Sequence, residues 1–462
     1  MIRLYDTLTG DVRPLPQRDE GKVSLYACGP TVYDHPHLGH ARQAMTYDVM
    51  RRYFEWRGLA VHHVANVTDI DDKIIARAQA ENTTESAVAT EWKQVYDDVM
   101  DALDILRPHD RPHATEYVEE MVEFIQTLID NGSAYANDSG VYLRVHTVDG
   151  YGDLVHRSLD DLREGAGARV EVDDTKEDPL DFALWKAAKS GEPTWPSPWG
   201  DGRPGWHIEC VAMSLGILGD GFDLHGGGND LVFPHHTNER AEAIAAGRDF
   251  AQHWAHNAML NISGEKMSKS LGNFTTIQTL LDEHPDNARA LRLALLQTHY
   301  RKVMELNPEV MAQSREGLKR LDAMVRKASG ADVPLGGAER DADAIAAFTS
   351  AMDDDLGTPE GVATMFETIR RANAALDAGD DAAAMLVATA IDLAGAMGLS
   401  VGPDGLGSGG DGGDPEIDAL VSARTEARAN KDFAEADRIR DQLTARGIVV
   451  EDTPNGPVWH RS

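Results

Sequence analysis

Lys22-Val23-Ser24-Leu25-Tyr26-Ala27-Cys28-Gly29-Pro30-Thr31-Val32-Tyr33-Asp34-His35-Pro36-His37-Leu38-Gly39-His40 is the stretch on which the fold turns. Its first seven residues read as a short buried strand, cut off by Gly29-Pro30. Beyond it, apolar Met45, Val49, Tyr53 and Trp56 recur at spacings of 4, 4 and 3, which predicts a helix with one buried face. Gly58 supplies that helix with a C-terminal stop, and residues 59–64 form a second apolar, β-branched run. Strand, loop, helix and strand in this order predict an α/β domain of the nucleotide-binding kind.

Further along, Val88, Trp92, Val95, Val99, Leu103 and Leu106 keep helical spacing, and the alternation of strand and helix predicts a parallel sheet. From about 108 to 205 the pattern is mixed. A helix is expected near 115–131 and a strand around 140–145, followed by the polar, proline-rich Thr194-Trp195-Pro196-Ser197-Pro198-Trp199. We read this as an insertion into the sheet. After residue 286 the chain becomes helical, with amphipathic Ala/Leu/Met-rich segments and a loop at 329–337. Residues 400–415 hold seven glycines in sixteen, which is linker composition. The expected division is therefore 1–285 (insertion about 108–205), a helical bundle at 286–399, a linker at 400–415, and a small module at 416–462 with a strand-like Gly447-Ile448-Val449-Val450 tail. There is no internal repeat.

Composition narrows the function classes. A chain of 462 residues has room for about three domains. At 42% hydrophobic and 26% charged residues it is globular, and Lys+Arg 44 against Asp+Glu 77 leaves a net charge of −33. Only 12 of the 44 basic residues are lysines. Such acidity fits a very soluble surface or, on the reading we favour, a salt-rich cytosol. Two cysteines cannot make a disulfide framework, and Met1-Ile2-Arg3-Leu4-Tyr5-Asp6 is charged where a signal peptide needs an apolar run. The longest apolar run, 382–391, lies between Asp381 and Asp392 and is too short to span a membrane. A cytosolic protein without a membrane helix is expected.

Three clusters carry chemistry. His37-Leu38-Gly39-His40 opens a helix, whose free N–H groups attract phosphate while the two imidazoles add donors and the glycine permits close approach. Gly264-Glu265-Lys266-Met267-Ser268-Lys269-Ser270 places two ammonium groups three residues apart on a polar loop, suited to neutralising a polyphosphate during nucleotidyl transfer. In a chain with so few lysines this pairing weighs against a plain solvated face. The third cluster combines Gly205-Trp206-His207-Ile208-Glu209-Cys210, His225-Gly226-Gly227-Gly228-Asn229-Asp230 and Pro234-His235-His236-Thr237-Asn238-Glu239. With Pro234 in a first helical turn, His235 and Glu239 share a helix face. Added to Cys28 and Cys210 they make a donor set of the type zinc takes, although a fourth Cys or His is commoner than a carboxylate.

The two signature clusters, in this order and about 230 residues apart, resemble those of class I aminoacyl-tRNA synthetases. The cysteine-bearing segments, together with Asn66-Val67-Thr68-Asp69-Ile70-Asp71-Asp72-Lys73-Ile74, are similar to those of the cysteinyl-tRNA synthetase family over nearly the whole chain. Leu38 replaces the usual signature isoleucine, and Thr237 stands where an acidic residue is common. The resemblance implies a Rossmann-like catalytic domain with a connective insertion, a helical bundle and a C-terminal anticodon-binding module. It further implies one zinc ion on Cys28, Cys210, His235 and Glu239, with the substrate thiolate as an added ligand. Thr68, Trp206 and His225 would line the amino-acid pocket. His37, His40, Gly227, Asp230, Lys266 and Lys269 would contact ATP, which carries magnesium; of these His37, His40, Lys266 and Lys269 would be catalytic, Lys269 stabilising the transition state. The partners implied are L-cysteine, ATP and tRNA-Cys, and the expected state is a monomer. Three other readings compete: a cysteine ligase of mycothiol biosynthesis, which shares the catalytic domain; a zinc hydrolase, which would leave the lysine loop without a purpose; and a non-catalytic RNA-binding relative, which would have lost signature residues.

Overall fold

The computed structural model describes residues 1–166, 175–262, 265–266, 276–401, 415–429, 432–446, 448–453 and 456–461. They fall into two compact units, the first made of Met1–Ala288, Thr298–Leu306 and Asp353–Leu356.

The first unit opens with an antiparallel hairpin of β1 (Arg3–Asp6) and β2 (Asp11–Pro14). The predicted β-α-β unit follows as β3 (Lys22–Ala27), α1 (Leu38–Trp56) and β4 (Ala60–Val64). β3 and β4 pair in parallel, with Tyr26 opposite Val64. Met45, Val49 and Tyr53 of α1 are buried as their spacing requires, and Gly58 takes the left-handed conformation (φ 84°) that ends the helix. Two helices follow, α2 (Asp72–Glu81) and α3 (Glu85–Ala102). α3 is shorter than its periodicity suggests: it stops at Leu103, Asp104 turns with φ 54°, and Leu106 lies beyond the helix.

Next come α4 (Val118–Asp130), β5 (Ala134–Asn137), β6 (Gly140–Leu143), α5 (Leu159–Ala166), β7 (Phe182–Ala187) and β8 (Gly202–Pro204). The four strands make an antiparallel sheet of their own in the order β5-β6-β7-β8. α6 (Ile208–Leu218), buried on nearly every side, leads into β9 (Leu224–Gly228), α7 (Thr237–Ala245) and β10 (Trp254–Asn257). The parallel sheet has the order β10-β9-β3-β4. The chain thus runs from β3 outward to β4 and later returns on the other side of β3 as β9. The crevice at the carboxyl ends of β3 and β9 is the position where open parallel sheets bind ligands. Tyr26 and Val64 of the parallel sheet, Leu143 and Leu184 of the antiparallel one, and Ile208 and Val211 of α6 belong to one apolar core. β11 (Leu260–Ile262), β12 (Glu265–Lys266), α8 (Ile277–Glu283) and, after α9 (Asn287–Leu296), β13 (Met304–Leu306) complete the unit; β11 lies between β12 and β13.

The second unit is helical. It contains most of α9, then α10 (Pro308–Gly330), α11 (Ala342–Asp353), α12 (Thr358–Ala378) and α13 (Ala383–Ala396). α14 (Pro415–Ala429), α15 (Phe433–Ala445) and a hairpin of β14 (Ile448–Thr453) and β15 (Gly456–Arg461) follow. The strand-like tail expected at 447–450 is thus one arm of a hairpin. The glycine-rich stretch 402–414 lies outside the described residues. No described helix is long and apolar enough to cross a membrane.

Candidate active site

β3 ends at the crevice floor and delivers Cys28, whose backbone N–H bonds to the Gly226 carbonyl of β9 at 3.0 Å. The next position must be glycine: a Cβ on Gly29 would overlap the Asn66 carbonyl, and the Gly29 N–H donates to Asn66 Oδ1 at 2.7 Å. Cys210 comes from the first turn of α6 and Glu239 from the first turn of α7. His235 stands in a π-helical turn, Val232–His236, that runs on into α7, with Phe233 alone extended within it. His235 and Glu239 therefore share a helix face as their i, i+4 spacing predicts, with His235 Nε2 2.8 Å from Glu239 Oε1.

Cys28 Sγ lies 3.6 Å from Cys210 Sγ, 3.6 Å from His235 Nε2 and 3.5 Å from Glu239 Oε1, and Cys210 Sγ lies 3.6 Å from His235 Nε2. With metal–sulfur bonds of about 2.3 Å and metal–nitrogen bonds of about 2.05 Å, a tetrahedral site has S–S edges of about 3.8 Å and S–N edges of about 3.5 Å. The Cys28–Cys210, Cys28–His235 and Cys210–His235 edges already match. All four residues are buried, and their donor atoms lie within 4.8 Å of one another. Burial, the neighbouring thiol and Glu239 push the Cys28 thiol well up. Burial alone would raise Cys210 as well, but hydrogen bonds to Cys28 and His235 outweigh it and bring that thiol down to about 6. Burial opposes the His235 cation, yet the Glu239 carboxylate and Cys210 raise it to about 10. The arrangement is a compact, soft, anionic pocket of the kind that takes a divalent metal.

A ring of imidazoles surrounds it. His235 Nδ1 meets His207 Nδ1 at 2.9 Å, His225 Nε2 meets Glu239 Oε2 at 2.6 Å, and His236 Nε2 approaches Cys28 Sγ at 3.3 Å. His236 Nδ1 in turn bonds His256 Nε2 at 2.8 Å, and His256 Nδ1 bonds Thr7 Oγ1 at 2.7 Å. A second overlapping donor set, Cys28, His225, His236 and Glu239, is therefore also within metal-binding reach. It contains one thiol, and its His225 Nδ1 is turned to the Tyr26 carbonyl at 3.1 Å. Sequence reasoning gave no role to His207, His236 or His256. The runs His207 to Cys210 and His235-His236 signalled the neighbourhood, but nothing in the chain signalled His256 or Thr7.

Above the cluster opens a cleft of about 520 Å³ whose walls include Cys28, His37, His40, Lys73, Trp206 and Asp230. His37 is the N-cap of α1. Its Nδ1 accepts from the Gly39 N–H at 3.1 Å, and His40 Nδ1 accepts from the His37 N–H at 3.1 Å. The two rings stack with centroids 3.8 Å apart. Burial lowers His37, and burial, with repulsion from neighbouring His37 when protonated and from the Lys73 ammonium, lowers His40 to about 3. Both are neutral at pH 7, and because Nδ1 accepts in each, the proton sits on Nε2. The signature thus places two neutral imidazoles with Nε2–H donors at the start of α1.

Trp206, 38% exposed, lines the cleft and stacks on His235 at 4.2 Å. Thr68 and His225 are buried and are not among the lining residues. Thr68 Oγ1 donates to Glu209 Oε2 at 2.9 Å, and His225 sits behind the metal-type cluster. Gly227 belongs to β9, where a Cβ would lie 2.8 Å from both His236 and Leu231. Lys266 is placed by its backbone in β12 opposite Asn261, whereas Lys269 and residues 267–275 lie outside the described residues.

Comparison with known proteins places these features in a family. Residues 14–316 match the model of the tRNA synthetases class I (C) catalytic domain, 347–401 a DALR domain, and 411–459 the cysteinyl-tRNA ligase anticodon binding domain. The cysteine–tRNA ligase of Alkalilimnicola ehrlichii is 46% identical over 469 residues, covering 100% of both chains. That of Geobacillus thermodenitrificans is 44% identical over 472 residues, covering 100% of this chain and 99% of its own. Among solved structures, Mycobacterium tuberculosis methionyl-tRNA synthetase in complex with methionyl-adenylate superposes with a TM-score of 0.58 at 16% identity, covering 81% of this chain and 89% of its own, a likeness of fold. A parallel sheet with its crevice at β3 and β9, a Cys/His/Glu cluster on the crevice floor and full-length relatives of one kind lead to one conclusion: the chain belongs to the cysteine–tRNA ligase family of class I aminoacyl-tRNA synthetases.

Proposed function

We propose that the chain activates L-cysteine with ATP and transfers it to tRNA-Cys. The cysteine carboxylate attacks the α-phosphorus of ATP, pyrophosphate leaves, and the resulting cysteinyl-adenylate is attacked by a hydroxyl of the tRNA 3′-terminal adenosine, releasing AMP. The observation that carries the reading is the Cys28, Cys210, His235 and Glu239 cluster at the floor of the cleft walled by His37 and His40. Those four residues would hold a zinc ion, which would supply a soft centre that favours the thiol of cysteine over the hydroxyl of serine.

The other residues act by position and charge. His37 and His40 carry Nε2–H groups suited to phosphate oxygens, and Gly227, whose missing side chain leaves room for His236 and Leu231, would act on the nucleotide only through the backbone of β9. Asp230 on the cleft wall is an acceptor for the ribose or for a hydrated magnesium ion carried by ATP. Trp206 covers His235 and gives the amino acid an apolar wall, while Thr68 and His225 act from behind, through Glu209 and Glu239. Lys266 and Lys269 supply cations against the charge of departing pyrophosphate, Lys269 chiefly in the transition state. The C-terminal module at 416–462 takes the anticodon end of tRNA. A single chain carries all these groups, so we infer a monomer working in the cytoplasm.

A cysteine ligase acting on an amino sugar is not favoured, because such an enzyme has no use for the anticodon-binding match at 411–459. Cysteine-dependent ATP–pyrophosphate exchange followed by charging of total tRNA tests the proposal. Exchange that proceeds equally with serine, or charging of no tRNA, would overturn it.

A further inference from the structure

The cleft carries a cation without an ion pair. Lys73 is the second residue of α2 and stands exposed on the cleft wall that also holds His37 and His40. Its ammonium lies 5.2 Å from the centroid of the Tyr33 ring and close enough to His40 to contribute to the lowering of that imidazole. Among the described residues no carboxylate pairs with it, which is unexpected in a chain with 77 acidic residues and 12 lysines.

The surrounding acids are all engaged elsewhere. Asp34 pairs with Arg77 at 3.2 Å, and Asp69 accepts from Thr115 Oγ1 at 2.6 Å and faces His113. Asp71 caps α2 by accepting the backbone N–H of Lys73 itself. Asp72, the nearest neighbour in sequence, is taken by Lys186 at 2.7 Å and by Arg203, from β7 and β8 of the antiparallel sheet. Asp97 is shared by Lys93 at 2.8 Å, Arg111 at 2.6 Å and Arg107 at 3.3 Å. Of the two other cleft acids, Asp101 pairs with Arg107 and Asp230 lies near enough to His37 to act on it. The charge of Lys73 is therefore left uncompensated toward the cleft, in a protein whose overall field repels polyanions.

We infer that Lys73 is a phosphate-binding residue that holds the triphosphate of ATP from the wall formed by His40 and Tyr33, in addition to the two lysines of the 264–270 loop. The inference rests on ATP being the substrate of this cleft. An ammonium is suited to the task because it acts as a compact point charge with rotatable donors, and Tyr33 holds it in place without neutralising it.

The test uses full-length Lys73→Ala and Lys73→Arg enzymes in cysteine-dependent ATP–pyrophosphate exchange, with inhibition by inorganic tripolyphosphate and by adenosine measured alongside. A lost charge-assisted contact predicts about a ten- to hundredfold fall in kcat/KM for ATP in Lys73→Ala, with recovery of most of it in Lys73→Arg. Tripolyphosphate inhibition should weaken by a similar factor while adenosine inhibition, the KM for cysteine and the zinc content stay within twofold. ATP parameters within twofold of wild type in Lys73→Ala would overturn the assignment, as would normal exchange combined with impaired tRNA charging, or equal weakening of tripolyphosphate and adenosine. A wild-type enzyme with no cysteine-dependent exchange would instead overturn the reading of the cleft itself.

Discussion

Replacing Cys210 by alanine removes one corner of the proposed zinc site and leaves Cys28, His235 and Glu239. The removed sulfur sits 3.6 Å from both Cys28 Sγ and His235 Nε2 and is 1% exposed, so neither water nor a neighbouring side chain takes its place without rearrangement. Four-ligand protein sites bind zinc with apparent free energies of about 10–16 kcal/mol at pH 7, which spread evenly is about 2.5–4 kcal/mol per ligand. Cys210→Ala should therefore weaken zinc binding by about a hundred- to a thousandfold. Competition against a chromogenic chelator measures this directly, and cysteine-dependent exchange measured on the same preparations should fall in step with bound zinc. Restoring zinc by mass action should restore part of the exchange but not full discrimination against serine, because the metal would then have one soft protein ligand fewer. A dissociation constant within tenfold of wild type would refute the reasoning and point to the overlapping set with His225 and His236.

Four further outcomes are expected. Above about pH 6, where Cys210 loses its proton, and below about pH 10, where His235 loses its own, zinc uptake displaces protons chiefly from Cys28 and His235. Affinity should then rise about a hundredfold per pH unit across that window, and a slope of one proton or less in chelator titrations would contradict the assigned charges. His37→Asn keeps a good N-cap but deletes the imidazole donor, so the melting temperature should move by less than about 3 °C while adenylation slows at least about tenfold; equal loss of both would mean that His37 is only structural. Gly29→Ala puts a Cβ into the Asn66 carbonyl and should cost about 2–3 kcal/mol of stability by chemical denaturation, with loss of metal; a neutral result would show that β3 can shift. With a net charge of −33, folding by circular dichroism and tRNA charging should both improve from dilute buffer towards molar potassium chloride; full activity at about 0.05 M salt, declining as salt is added, would show the acidity to be a solubility device.

The part of the fold that the sequence disclosed is the part governed by local periodicity. β3, α1 and β4 followed from apolar spacing and from Gly58, because a strand buried on both faces and a helix buried on one leave different patterns. The donor set was legible because cysteine and paired histidines are rare and chemically distinct. β9 was not legible as a strand: Leu224-His225-Gly226-Gly227-Gly228 has the composition of a loop. It is a strand because β3 and β10 pair with it on either side and because Tyr47 of α1 lies where side chains would otherwise stand. The imidazole ring was hidden for the same kind of reason. His207, His236, His256 and Thr7 meet only after four elements pack, and no sequence period links them. Lys73 stood in the run 66–74 without a role of its own, because the engagement of its acidic neighbours elsewhere is a property of the packed structure.

The ligands of the metal-type cluster are widely separated along the chain, Cys210 lying 182 positions and Glu239 211 positions after Cys28. On a ribosome adding about 5–20 residues per second, Cys28 emerges about 10–40 s before Glu239 is made. During that interval its thiol has no site to belong to and is open to oxidation or to capture by whatever soft metal is at hand. The whole antiparallel sheet is made in the meantime, since β5 to β8 precede Cys210. The nascent chain is therefore best served by a reducing, metal-buffered environment well before the proposed zinc site is complete.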